Sequence, residues 1–454
     1  MIQLKTKNTF HAKLFALVVP IAFQQLMMAL VSASDALMLG FISQEALSAV
    51  SQAGQVMFVY TLFQFALTSG AAIFAAQYYG KGDIDSVEKI LGIVLKFNAG
   101  ISFLFTVGAV FTPKLLMSAF TNQSELIEMG AQYLRVVGPS YLMMGLSQAY
   151  LCIMKNCGRA STSSMISSIS MLLNIVMNFL LIFGIAFFPR MEIKGAALAT
   201  LLSRVIELIW ALSQSFKKDG IKFRRKYILG NDKTLFRDYC KYTTPILGNE
   251  LVWGCGFAMF SVIMGRLGTD AIAANSIANI VKNILICFCM GTASAGGIMV
   301  GNQLGQGRLD TAKEYGSKTC KTALVIGLIS GGLILAVSPL VVRCANLSET
   351  AAGYLQIMLV VCSYYVVGKT MNTTTIAGIF CAGGDSKFGF ICDTITMWVI
   401  VVPIGLISAF VLKLPVVTVY ILMNIDEIIK LPAVYIHYKK YKWLKDLTRN
   451  NYDV

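Results

Sequence analysis

The chain has 454 residues, 56% hydrophobic and only 13% charged, with a mean hydropathy of +0.68 and a net charge of +15. So few polar residues cannot cover a water-soluble fold, which places the chain in a membrane. The basic excess gathers at the ends of apolar runs rather than on one soluble face, which argues against nucleic-acid binding.

In chain order the apolar runs predict twelve spans: 13–39, 52–79, 91–113, 131–154, 163–187, 193–214, 239–265, 277–303, 317–343, 352–381, 388–411 and 415–437. At about 1.5 Å per residue, each is long enough for a hydrocarbon core of about 30 Å. With the N-terminus inside, the cytoplasmic segments hold 26 Lys and Arg and the opposite loops 6. That asymmetry predicts a multi-pass protein of the plasma membrane or bacterial inner membrane with both termini cytoplasmic. The first thirteen residues are polar and the first span exceeds a signal-peptide core, so no cleavage is expected. The eleven cysteines show no metal spacing and read as packing residues, not disulfides.

The chain echoes itself at an ungapped offset of 225. Pro20 falls on Pro245, Gly40 on Gly265, Gly80 on Gly305, Gly82 on Gly307 and Asp85 on Asp310, with 16 identities in the 70 pairs from Pro20/Pro245 to Lys89/Glu314. One register held through glycine and proline corners predicts a duplicated fold. The expected architecture is an all-α membrane protein with twelve transmembrane helices in two six-helix lobes. Residues 1–216 and 237–454 form the lobes, related by a pseudo-two-fold along the membrane normal. The basic cytoplasmic linker 217–236 joins them and is expected to lie against anionic lipid headgroups. Cys157-Gly158-Arg159 and Gly383-Gly384-Asp385 mark matching inner corners, where tight turns alone explain the glycines.

Charged residues inside spans are the candidate site. An ionisable group at such depth costs about 3 kcal/mol on insertion scales and marks a functional position. Glu250 lies well inside the seventh span, opposite Gln25 in the repeat, and suits proton, sodium or substrate-cation binding; a static pair with Lys282 or Lys369 is the alternative. Asp35 lies in the outer part of the first span, with snorkelling to the interface as its alternative. Asn174 and Asn178 share a helix face, and Gly195-Ala196-Ala197-Leu198-Ala199-Thr200 opens the sixth span. Their oxygens suit a proton site or a hard cation, while interhelical packing is the plainer reading. Arg204 and Glu207 are spaced to pair, as are Asp426 and Lys430, leaving Glu427 unassigned; Asp393 is expected to face water. His11 and His437 sit at cytoplasmic span ends, so proton coupling would fall to carboxylates. Methionine and aromatic pairs such as Met27-Met28, with Tyr141, Tyr364 and Tyr365, suit an adaptable cavity, although core packing explains most of them.

Taken in order, these motifs resemble the multidrug and toxic compound extrusion (MATE) family over essentially the whole chain. They are Asp35-Ala-Leu-Met-Leu-Gly40, Gly80-Lys-Gly-Asp83, Asn174-Ile-Val-Met-Asn178, Gly195-Ala-Ala-Leu-Ala-Thr200, Pro245 with Glu250, and Gly305-Gln-Gly-Arg308. The resemblance implies a V-shaped, non-enzymatic transporter that exports organic cations against an inward sodium or proton gradient. It implies Asp35, Asn174, Asn178 and Thr200 as the N-lobe cation site and Glu250 as the C-lobe acid. NorM-type members carry a second acid in the tenth span, where this chain has Lys369-Thr370, and Asn178 stands where some members carry an acid. No cofactor beyond the coupling ion, Na+ or H+, and no structural metal is expected. The expected partners are small organic cations and membrane lipids, and the expected state is a monomer. A lipid-linked-precursor flippase of the same superfamily is the alternative, with Lys282 and Lys369 as possible cavity charges for its pyrophosphate. A membrane-embedded enzyme would need a clustered nucleophile, metal set or acid pair that the sequence does not show.

Overall fold

The computed structural model describes residues 10–185, 188–218, 220–230, 232–345 and 347–449. The last two residues of the expected span 163–187, like the extreme termini, lie outside the described residues. Every element among the described residues is helical. The first six expected spans correspond to α1 (Phe10–Gly40), α2 (Gln44–Lys81), α3 (Ile84–Phe111), the stacked pair α5 (Ser124–Val137) and α6 (Pro139–Met154), α7 (Ala160–Phe183) and α8 (Glu192–Ser215). A short α4 (Pro113–Ser118) precedes α5, and α9 (Arg225–Leu229) lies in the linker. The later spans are α10 (Lys233–Gly265), α11 (Thr269–Gly305), α12 (Leu309–Cys344) and α13 (Glu349–Thr373), the last extended by a π-helical turn, Thr374–Phe380. After them come α14 (Ser386–Thr394) and α15 (Val402–Leu406), joined and extended by further π-helical turns, and then α16 (Val416–Met423) with α17 (Asp426–Lys439).

Two details differ from continuous spans. The turn at Cys157 and Gly158 links α6 to α7, with Gly158 at φ +75°, a conformation that suits a residue without Cβ. The last span breaks after Met423. Asn424 caps the break by donating from Nδ2 to the Tyr420 carbonyl at 2.8 Å. The break makes Asp426 and Glu427 the first turn of α17, where the positive end of the helix dipole favours acids.

The repeat is visible in the helix boundaries. α1 and α10 end at Gly40 and Gly265, α2 and α11 begin at Gln44 and Thr269, and α3 and α12 begin at Ile84 and Leu309. Each pair keeps the 225-residue offset.

By packing, the chain divides into a first unit, Phe23–Thr243, and a second, Met1–Ala22 with Thr244–Val454. The division at the linker separates repeats; this one separates packed bodies. In the first unit Ala53, Val56, Tyr60, Leu134, Tyr141 and Ala197 form a buried core. The Tyr60 hydroxyl donates to the Tyr141 carbonyl and meets Ser102 Oγ, both at 2.8 Å, so this buried hydroxyl is satisfied. The linker is docked on this unit. Tyr150 Oη donates to the Ile221 carbonyl, the Lys222 amide donates to Glu88, Arg224 pairs with Glu88 at 2.6 Å, and Tyr227 donates to Asp85. Lys217, Lys222, Arg225 and Lys226 keep exposed side chains.

In the second unit Phe10, Leu14 and Val18 of α1 pack on Ala295 and Met299 of α11. A larger core gathers Ala271, Ala274 and Ala278 of α11 with Leu355, Leu359 and Val366 of α13. Trp443 is fully buried after α17. A Cβ on Gly383 would lie 1.5 Å from its carbonyl oxygen, and one on Gly316 would lie 2.8 Å from its ring. All eleven cysteines are free.

Candidate functional site

In the first unit a polar chain forms where α7 meets α8. The small residues opening α8 allow the approach. A Cβ on Gly195 would sit 2.6 Å from the Leu181 carbonyl, and Ala196, Ala197 and Ala199 are buried beside it. Thr200 therefore reaches α7, and Asn174 Nδ2 donates to its Oγ1 at 3.3 Å. Asn178, one turn further along α7, donates from Nδ2 to Asn174 Oδ1 at 3.3 Å and to Asp35 Oδ1 at 2.5 Å. The structure thus brings Asp35, Asn174, Asn178 and Thr200 together, and it places Asp35 against α7 rather than leaving it snorkelling outward. Leu39, Ile182 and Ala196 make an apolar cluster nearby, with Tyr133 packed on it.

Two features of this chain bear on chemistry. Asp35 makes no ion pair among the described residues. Arg204, whose field reaches Asp35, is committed to Glu207 at 2.5 Å, and the fully buried Glu207 also accepts from Gln148 and Ser147. Asn178 Oδ1 is buried and accepts no hydrogen bond among the described residues. A carboxylate whose neighbours are neutral amides, with a vacant amide oxygen beside it, suits a proton or a hard cation.

The second unit is built differently. Glu427 stands at the centre of a buried charge network. Lys369 Nζ donates to its Oε1 at 3.1 Å and Lys430 Nζ at 3.0 Å, while Asn372 donates to Oε2 at 2.8 Å. Lys430 also meets Asp393 at 3.0 Å and Asp426 at 3.8 Å. The Asp426–Lys430 pairing expected from spacing is therefore its longest contact. Two expectations need correction. Asp393 does not face water: its side chain is 16% exposed and paired with Lys430. Lys369 is paired with Glu427, not with Glu250. Glu250 makes no hydrogen bond or ion pair among the described residues; Lys369 and Asp393 act on it through space. Lys369 also lies over the ring of Trp253, three residues along α10 from Glu250. Lys282 is buried without an ion pair, its ammonium 4.9 Å from the Tyr365 ring centre.

Sequence reasoning missed Glu427, Asn372 and Asp393 as parts of one cluster. They come from α17, α13 and α14, and spacing along a single helix carries no signal for that meeting.

The MatE family profile matches residues 20–180 and again 245–407, two copies starting at the 225-residue offset of the repeat. An "Uncharacterized transporter YisQ" of Bacillus subtilis is 23% identical over 95% of each chain. A "Probable multidrug resistance protein NorM" of Thermotoga maritima is 23% identical over 95% of this chain and 93% of its own. A solved transporter of the MOP superfamily from Pyrococcus furiosus superposes with a TM-score of 0.86 at 18% identity, covering 96% of both chains.

Proposed function

Because this chain belongs to the MatE family of multi-pass membrane transporters, we propose that it is a secondary active multidrug efflux antiporter. It exports small organic cations in exchange for protons or sodium ions by alternating access, as a monomer in the cell membrane with both termini cytoplasmic. The observation that carries this reading is the Asp35–Asn178–Asn174–Thr200 chain, with its carboxylate free of any ion pair and its vacant amide oxygen. A coupling ion on Asp35 changes the charge that a cationic substrate meets. A ligand can shift a transporter between states only through such differential affinity. Glu250 is a second acid without a hydrogen-bond or ion-pair partner among the described residues, available to the substrate cation or to a further proton.

Against the flippase alternative stands the fate of its lysines. Lys369 is bound to Glu427, so a pyrophosphate would find Lys282 alone.

The test is export of a fluorescent organic cation from proteoliposomes under an imposed proton or sodium gradient. Wild type is compared with Asp35→Asn and Glu250→Gln. Export driven by one gradient and lost in Asp35→Asn is the expected result. No export under either gradient would overturn the reading.

A further inference from the structure

We infer that the second unit carries an anion-accepting subsite around Lys282, which takes the carboxylate of an amphiphilic substrate. The inference rests on the transporter reading above and names one chemical feature of what is carried.

The buried lysines of the second unit are unequally paired. Lys430 contacts three carboxylates and Lys369 contacts one. Lys282 contacts none, although it is only 9% exposed and lies about 20 Å along α11 from Thr269. Asp426 and Glu427 reach it only through space, and both are held by the other two lysines. The face of Tyr365 offsets part of its charge but accepts none of its three N–H groups in an ordinary hydrogen bond. A buried ammonium without acceptors is costly to keep, and a ligand that supplies them recovers that cost.

Its neighbours are also donors. Asn275, Asn279 and Lys282 follow one another at four and three residues and share one face of α11. Asn279 Nδ2 donates to Asn275 Oδ1 at 3.2 Å, which uses the Asn275 oxygen and leaves its N–H groups without a partner among the described residues. The Tyr365 hydroxyl likewise makes no hydrogen bond among them. The Lys282 ammonium and the Tyr365 phenol beside it are donors for an anionic oxygen group, and the Asn275 amide stands about 10 Å further along the same helix face. One free lysine matches the single charge of a carboxylate. A pyrophosphate or phosphate dianion calls for a second cation, and Lys369 and Lys430 are already committed.

The test uses the full chain in lipid nanodiscs and four ligands: rhodamine B, which bears a free carboxylate; its ethyl ester, which does not; and dodecyl phosphate and a fatty acid of matched length as competitors. Wild type is expected to bind the acid about tenfold more tightly than the ester. Lys282→Gln is expected to lose that preference while its ester affinity stays within about twofold. Lys282→Arg keeps the positive charge and is expected to retain the preference, which separates loss of the subsite from misfolding. Equal binding of acid and ester by wild type would overturn the inference, as would a preference unchanged in Lys282→Gln. Dodecyl phosphate displacing the acid more strongly than a matched fatty acid would overturn the assignment to a carboxylate. Export of the ester by the same protein in proteoliposomes is read separately. Its failure would sink the antiporter reading, whereas the binding comparison alone decides the subsite.

Discussion

The two units carry copies of one repeat, yet Asp35 in the first and Glu427 in the second keep different company. In the first, the carboxylate of Asp35 accepts from Asn178, which leads on to Asn174 and Thr200, and no cation pairs with it among the described residues. In the second, Asp393, Asp426 and Glu427 are bound up with Lys369 and Lys430. The repeat partners explain how this arose. Asp35 corresponds to Phe260, Glu250 to Gln25 and Lys282 to Met57, so none of these charges is a constraint of the shared fold. The comparison teaches that backbone and site evolved on separate terms. Corners and helix boundaries kept the 225-residue register, while ionisable side chains were placed independently in each copy. The first arrangement leaves a charge for an incoming ion; the second spends most of its charge on itself.

The strongest way to break the comparison is to remove the hub of the second unit. Glu427→Ala strands the buried Lys369 and takes one of three carboxylates from Lys430; it is expected to cost about 3–5 kcal/mol, read as a loss of thermal stability in detergent. Adding Lys369→Met to that variant should recover part of the loss, because a buried pair removed together costs less than one partner removed alone. The first unit should respond in the opposite sense. Asp35→Asn keeps the Asn178 contact and should fold as wild type, yet lower gradient-driven export by about tenfold or more. A thermal shift as large as that of Glu427→Ala would show that Asp35 is structural after all. Gly195→Val would drive a side chain into the Leu181 carbonyl and part α7 from α8. A cost of about 1–3 kcal/mol is expected, with a fall in export that tracks the lost Asn174–Thr200 contact. The smallest expected effect is at Ser43, whose hydroxyl accepts from the Ala46 amide at the start of α2. Ser43→Ala should cost about 1 kcal/mol and leave export unchanged.

Much of the architecture was legible because hydropathy and glycine corners are local signals. The 225-residue echo came from residues such as Gly82 and Gly307, both with positive φ, whose backbone needs are set within a few positions. The Asn174–Asn178 face followed from helical spacing, and the small residues at Gly195 announced close packing. The Glu427 network was not legible. Lys369 and Asn372 reach Glu427 from α13, Asp393 of α14 joins only through Lys430, and the break at Asn424 that precedes α17 has no strong sequence marker. Spacing proposed Asp426 for Lys430, whereas the fold puts Glu427 and Asp393 closer. Nor did composition show that the linker backbone docks on Glu88 and Tyr150; charge alone pointed to lipid headgroups.

Trp443 has a consequence for the order in which the protein is assembled. Its ring and carbonyl fill the space kept open by Gly316 and Gly383, and it stacks on Tyr438 with ring centres 5.4 Å apart. Every one of those partners leaves the ribosome before it does. This end of the second unit therefore stays unsealed until the last residues are made, and its final closure is a step that follows synthesis of the helices it packs on.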